Sequence, residues 1–81
     1  MTHTLLKPRT GSFVACVRAT YDDVDLVVGK LYRVQKPERG DPEELLRIID
    51  ESGDDYLYAI DWFEPIDVPP RVRRALAKLG S

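Results

Sequence analysis

The stretch Arg47 to Ile66 reads R-I-I-D-E-S-G-D-D-Y-L-Y-A-I-D-W-F-E-P-I, and its two halves decide the fold. A β-prone run ending at Asp50 meets an acidic turn that contains Gly53. A second β-prone run, Tyr56 to Ile60, follows and leads into Trp62-Phe63 before Pro65. Two such runs joined by a short glycine-bearing turn predict a β-hairpin, because glycine supplies the positive φ that hairpin turns require. The hairpin also holds most of the aromatic residues.

Working outward, the chain before the hairpin carries further strand signals. Phe13 to Ala19 is β-prone, and a strand sends alternate side chains to opposite faces. Phe13, Ala15, Val17 and Ala19 then share one face, and Val14, Cys16 and Arg18 the other. Arg18 prefers water, so the first set is expected to face the core. Thr20 to Asp25 is an acidic loop. Leu26-Val27-Val28 runs into Gly29-Lys30, a turn with Gly29 at the positive φ. Leu31 to Gln35 alternates Leu31, Arg33 and Gln35 against Tyr32 and Val34, which predicts a strand. Pro37 and Gly40 mark a loop.

Asp41 to Asp50 supports two readings. Asp41-Pro42-Glu43-Glu44 has the cap, the proline and the acids of a helix start, with Leu45, Ile48 and Ile49 as an apolar helical face. The β-branched Ile48-Ile49 pair and the hairpin turn that follows favour a strand with one helical turn at its start. After the hairpin, Pro69-Pro70 ends the sheet. Arg71 to Leu79 then places Val72, Ala75, Leu76 and Leu79 on one side of a helix, with Gly80 as its stop.

Three regions follow: a flexible lead-in over 1–12, a β domain over 13–68, and an amphipathic helix over 69–81 docked on that domain. At 81 residues there is room for one compact core. Its expected interior is Val17, Ala19, Leu26, Val28, Tyr32, Val34, Ile48, Tyr58, Phe63 and Ile66. The one cysteine, Cys16, forms no intramolecular disulfide and is expected to be a packed, inert thiol in a reducing compartment. The first twelve residues lack the apolar segment of a signal peptide, and the longest apolar run, Phe13 to Val17, falls far short of the roughly 20 residues that span a bilayer. A cytoplasmic, soluble protein is expected.

The net charge of −2 conceals an asymmetry. Every acidic residue lies between Asp22 and Asp67, whereas Arg71, Arg73, Arg74 and Lys78 follow the last of them. An acidic body disfavours a general nucleic-acid binder, which needs a basic face. Catalysis finds little support either: His3 is the only histidine and lies in the lead-in, and no nucleophile, zinc or phosphate-loop motif occurs. Asp50, Glu51, Asp54 and Asp55 crowd the hairpin turn but lack the spacing of a calcium loop, so they are expected only to keep the turn solvated. No enzyme activity, cofactor or metal is expected.

In the order of its features the chain resembles the Src-homology-3 (SH3-like) barrels. Ala19-Thr20-Tyr21-Asp22-Asp23 stands where that family has an A-L-Y-D-Y-like strand end, and Asp22, Asp23 and Asp25 match its acidic first loop. Leu26-Val27-Val28-Gly29-Lys30 is similar to its diverging turn. Leu57-Tyr58-Ala59-Ile60-Asp61-Trp62-Phe63 is similar to its last strand and the turn beside it. These short motifs span residues 13–66. The chain is also similar to small uncharacterised bacterial and phage proteins with a G-K-x-Y-x-V strand, an I-I-D-x-S-G-x-D-Y-L-Y hairpin and a W-F-E end. The resemblance implies an all-β fold, a small five-stranded barrel with a short C-terminal α-helix.

The family's signalling members bind proline helices in an aromatic groove. Carried over by position, Tyr21 is retained and Trp62 replaces a tyrosine. Asp23, Leu45, Leu57 and Ala59 stand where the groove's other aromatic residues and its proline belong, so a proline-rich ligand is not implied. What remains is an aromatic and acidic patch of Tyr21, Asp22, Asp23, Asp25 and Trp62, which would attract a basic peptide by charge and cation–π contact. The simpler alternatives are a solvated loop beside an incidental Tyr21, and a Trp62 packed on the barrel or the helix. The expected function is a non-enzymatic protein-interaction module. The alternatives are an assembly protein that forms homodimers through the C-terminal helix and, more weakly, a nucleic-acid binder using Arg71, Arg73, Arg74 and Lys78.

Overall fold

The computed structural model describes residues 7–22 and 24–79. It is mostly β, with five strands in two sheets and one C-terminal helix: β1 (Phe13–Cys16), β2 (Leu31–Arg33), β3 (Leu45–Ile49), β4 (Asp55–Ala59), β5 (Phe63–Ile66) and α1 (Pro70–Leu79). A single 3-10 turn, Ile60–Trp62, separates β4 from β5. One sheet has the order β2-β1-β5 and the other pairs β3 with β4, all antiparallel. The sheets do not close into a ring. They are joined on one side by a bridge between Val34 and Ile48 and a backbone bond from Gln35 N–H to the Arg47 carbonyl.

The hairpin reading of Arg47 to Ile66 holds. Leu45 pairs with Ala59 and Ile49 with Asp55, leaving a tight loop in which Gly53 takes φ 89°. Gly53 N–H donates to the Asp50 carbonyl to close the turn, and a left-handed glycine at that place suits the right-handed twist of the flanking strands. Of the two readings of Asp41 to Asp50, the strand is the one formed; Pro42 and Leu45 close only a turn before it. The strand's alternation also corrects the helical face. Leu46 and Ile48 point inward, while Leu45 and Ile49 lie on the opposite, half-covered side.

The main core comprises Val14, Cys16, Leu26, Tyr32, Val34, Leu46, Ile48, Ile60 and Phe63, with Ala19, Tyr58 and Trp62 packed against it. The expected core face of β1 is therefore reversed. Val14 and Cys16 point into the core, and Val17 is exposed. Arg18 does not set the face, because β1 ends at Cys16 and Arg18 leaves the sheet before alternation can place it. Val28 and Ile66 are exposed as well, one in the Gly29 turn and the other at the end of an edge strand. Cys16 is buried, and its thiol lies 3.2 Å from the Arg18 carbonyl.

Phe13 is buried but outside that core. It belongs to the opposite side of the sheet, where it borders a cleft of about 530 Å³ together with Leu31, Arg33, Ile49, Leu76 and Ala77. The helix thus docks by its second half. Leu76 and Ala77 are half-buried, whereas Val72 and Ala75, expected on the docked face, are exposed. Backbone pairing starts before β1: Gly11 N–H donates to the Val34 carbonyl and Val34 N–H to the Ser12 carbonyl. Gly11 and Ser12, expected within the lead-in, are thus paired with the chain that follows β2. The first six residues of the lead-in lie outside the described ones.

Candidate interaction surface

The segment from Val17 to Lys30 is held at its root and open at its tip. At the root, Val17 N–H donates to the Trp62 carbonyl at 2.8 Å and Gly29 N–H to the Cys16 carbonyl at 2.7 Å. Leu26 plugs into the core. Gly29, at φ 94°, occupies the third position of a turn closed by Lys30 N–H to the Val27 carbonyl, as its type II geometry demands.

The hairpin turn supplies the remaining fastening. Tyr32 hydroxyl accepts from Val27 N–H at 2.8 Å and donates to a Glu51 carboxylate oxygen at 2.7 Å. Glu51 also pairs with Lys30, and its own N–H donates to the Asp25 carbonyl. Burial and the carboxylate partner push the Tyr32 phenol well above its usual range, whereas the Tyr32 hydroxyl and Lys30 hold Glu51 below the usual carboxylate range. Both shifts favour the pairing in which the phenol donates and the Glu51 carboxylate accepts.

Beyond these fastenings the loop presents apolar side chains to water. Among the described residues, five of the eight exposed large apolar side chains lie here: Val17, Tyr21, Val24, Val27 and Val28. Tyr21 is 100% exposed and Val24 84%. Such a concentration on a short acidic segment is unlike the scattered single apolar residues of an ordinary surface. Asp22 is exposed and Asp25 half-buried, and neither makes an ion pair among the described residues; Asp23 lies outside them.

Trp62 is placed differently from Tyr21. It is half-buried in the 3-10 turn, packs against the core, and its ring meets Tyr58 at a centroid distance of 6.3 Å. Tyr21 is fully exposed, and among the described residues its ring makes no contact with that of Trp62. Trp62 stands at the root of the loop and Tyr21 on its open part. Of the valines in this segment, the sequence places Val17 and Val28 in the core, Val27 at the turn and Val24 in the acidic loop. Period-2 patterning cannot find them, because the segment is neither strand nor helix.

The acidic hairpin turn, by contrast, is spent on structure. Asp50 is only 5% exposed. Its carboxylate accepts from Ser52 N–H, the Ser52 hydroxyl and the Tyr58 hydroxyl. Burial alone would raise its pKa, but these donors outweigh burial and lower it. On the outer face, Arg47 binds Asp41 through two nitrogens at 2.9 Å and Asp55 at 2.8 Å. The two-point hold by Arg47, with Glu38 N–H, lowers Asp41 to about 2. The expectation that Asp50 and Asp55 merely keep the turn wet is corrected: both are structural acceptors.

The basic tail residues Arg71, Arg73 and Arg74 are exposed on α1 and make no ion pair among the described residues; Lys78, further along, is also exposed. Among the described residues, no three His, Cys, Asp or Glu side chains are placed to share a metal ion, and no helix is long and apolar enough to cross a membrane. No family model, curated protein or solved structure matches the chain.

Proposed function

We propose that this chain is a Src-homology-3-like barrel acting as a non-enzymatic, cytoplasmic protein-interaction module, and that its binding surface is the acidic loop from Val17 to Val28. The observation that carries the reading is the outward display of Tyr21, Val24, Val27 and Val28 beside Asp22 and Asp25. Exposed apolar side chains cost free energy in water, at about 25 cal/mol per Å² left uncovered, and a partner that covers them recovers it. Carboxylates without ion-pair partners beside them select a partner with basic residues. The strand order supports the barrel: β5-β1-β2 continues through the Val34–Ile48 bridge into β3-β4. Trp62, at the loop's root, borders the surface, and Tyr21 supplies its most accessible ring for an arginine.

A chemical-shift titration with a short peptide of alternating arginine and leucine tests the reading. Shifts should concentrate on Tyr21, Asp22, Val24, Asp25 and the indole of Trp62. Shifts that spread elsewhere and spare the loop would overturn it.

A further inference from the structure

We propose that the acidic loop's partner is the basic N-terminal half of α1 in a second copy of this chain. The inference rests on the reading of the loop as a binding surface and names what it binds. Two halves of one interface are present on each molecule. The loop offers Tyr21, Val24 and Val28 with Asp22 and Asp25; the helix offers Arg71, Arg73 and Arg74 around the exposed Val72.

The helix is electrostatically unrelieved. Its first turn contains no acidic residue, yet three guanidinium groups crowd the end where the helix dipole is already positive. None of the three is paired among the described residues. Carboxylates brought to that end answer both the dipole and the arginines. The chain's own loop does not do so. Leu76 and Ala77 seat the other half of α1 beside Phe13 and Ile49, and the arginines are left in water. The carboxylates of Asp50, Glu51, Asp55 and Asp41 are committed to Tyr58, Lys30 and Arg47, whereas Asp22 and Asp25, the acids beside the exposed apolar display, pair with no cation among the described residues. A second copy supplies both charge signs in reciprocal places, so a two-fold pair would make the contact twice.

Light scattering and sedimentation of the full chain test this. The mass should rise above that of a monomer with concentration and fall back in high salt, as screening weakens exposed pairs. Arg71→Glu/Arg73→Glu/Arg74→Glu and, separately, Asp22→Lys/Asp25→Lys should each weaken self-association by about tenfold or more. Mixing these two variants should restore it, because each then meets an opposite charge on the other. Restoration is something that a merely misfolded variant cannot give, and the salt response of the unmodified chain stands without either variant.

A chain that stays monomeric at every concentration, or variants that fail to associate when mixed, would overturn the proposal. If the arginine–leucine peptide still shifts the loop while the chain stays monomeric, the loop reading survives and only the second copy is wrong. If neither touches the loop, both fall.

Discussion

The hairpin turn at Asp50–Asp55 and the loop at Val17–Val28 are both acidic, both short, and fastened to each other through Tyr32 and Glu51. They use their carboxylates in opposite ways. In the turn, Asp50 accepts three hydrogen bonds, Glu51 holds Tyr32 and Lys30, and Asp55 holds Arg47. In the loop, Asp22 faces water and the apolar side chains around it are displayed. A count of acidic residues therefore says little; whether each one has found an internal donor separates the part that holds the fold from the part left facing water.

Substitutions should sharpen that contrast. The largest effect is expected from Leu46→Ala beneath the hairpin. The side chain is fully buried, so thermal or urea unfolding should show a loss of about 2–5 kcal/mol. Asp50→Ala removes the acceptor of the Tyr58 hydroxyl and of the Ser52 donors, and should cost about 1–3 kcal/mol in the same measurement. Gly53→Ala forces a side chain into left-handed backbone and should lose about 1 kcal/mol, although there is open space around it.

Acid should act on the turn's outer face. Asp41 has a folded pKa of about 2, below its unfolded value near 3.8, so its contribution is present above pH 3.8 and lost as pH falls towards 2. Asp41→Asn should flatten the pH dependence of stability across that window. The smallest effect on folding belongs to the loop. Tyr21→Ser and Val24→Ser should leave stability within about 0.5 kcal/mol, as surface changes do, while sharply reducing loop shifts in the peptide titration. A large loss of stability from either would mean that the loop is structural after all.

Much of the architecture was legible in particular residues. Gly53 between two β-prone runs marks the hairpin, Gly29 marks the turn before β2, and alternation shows Tyr32 of β2 and Val34 just after it on the buried side. Faces went wrong where a strand ended sooner than its composition suggested. Arg18 does not orient β1 because it lies past Cys16, and Val17 and Val28 face water although valines favour the interior. Tyr21 and the loop acids were legible as candidates. The valines that complete the surface were not, since only the fastening of the loop at Leu26 and Tyr32 shows which side chains are left over. Asp50 was equally hidden, because its donors come from Ser52 and from Tyr58 on the neighbouring strand.

The placement of the single tryptophan has a practical consequence. Trp62 is half-covered, rests on Tyr58, and its carbonyl is bonded to Val17 where the loop begins. Its indole emission should be sensitive to water at that root, and the chain has no second indole to blur the signal. Events on the loop can then be followed by intrinsic fluorescence, in stopped flow as well as at equilibrium, with no dye attached to the loop.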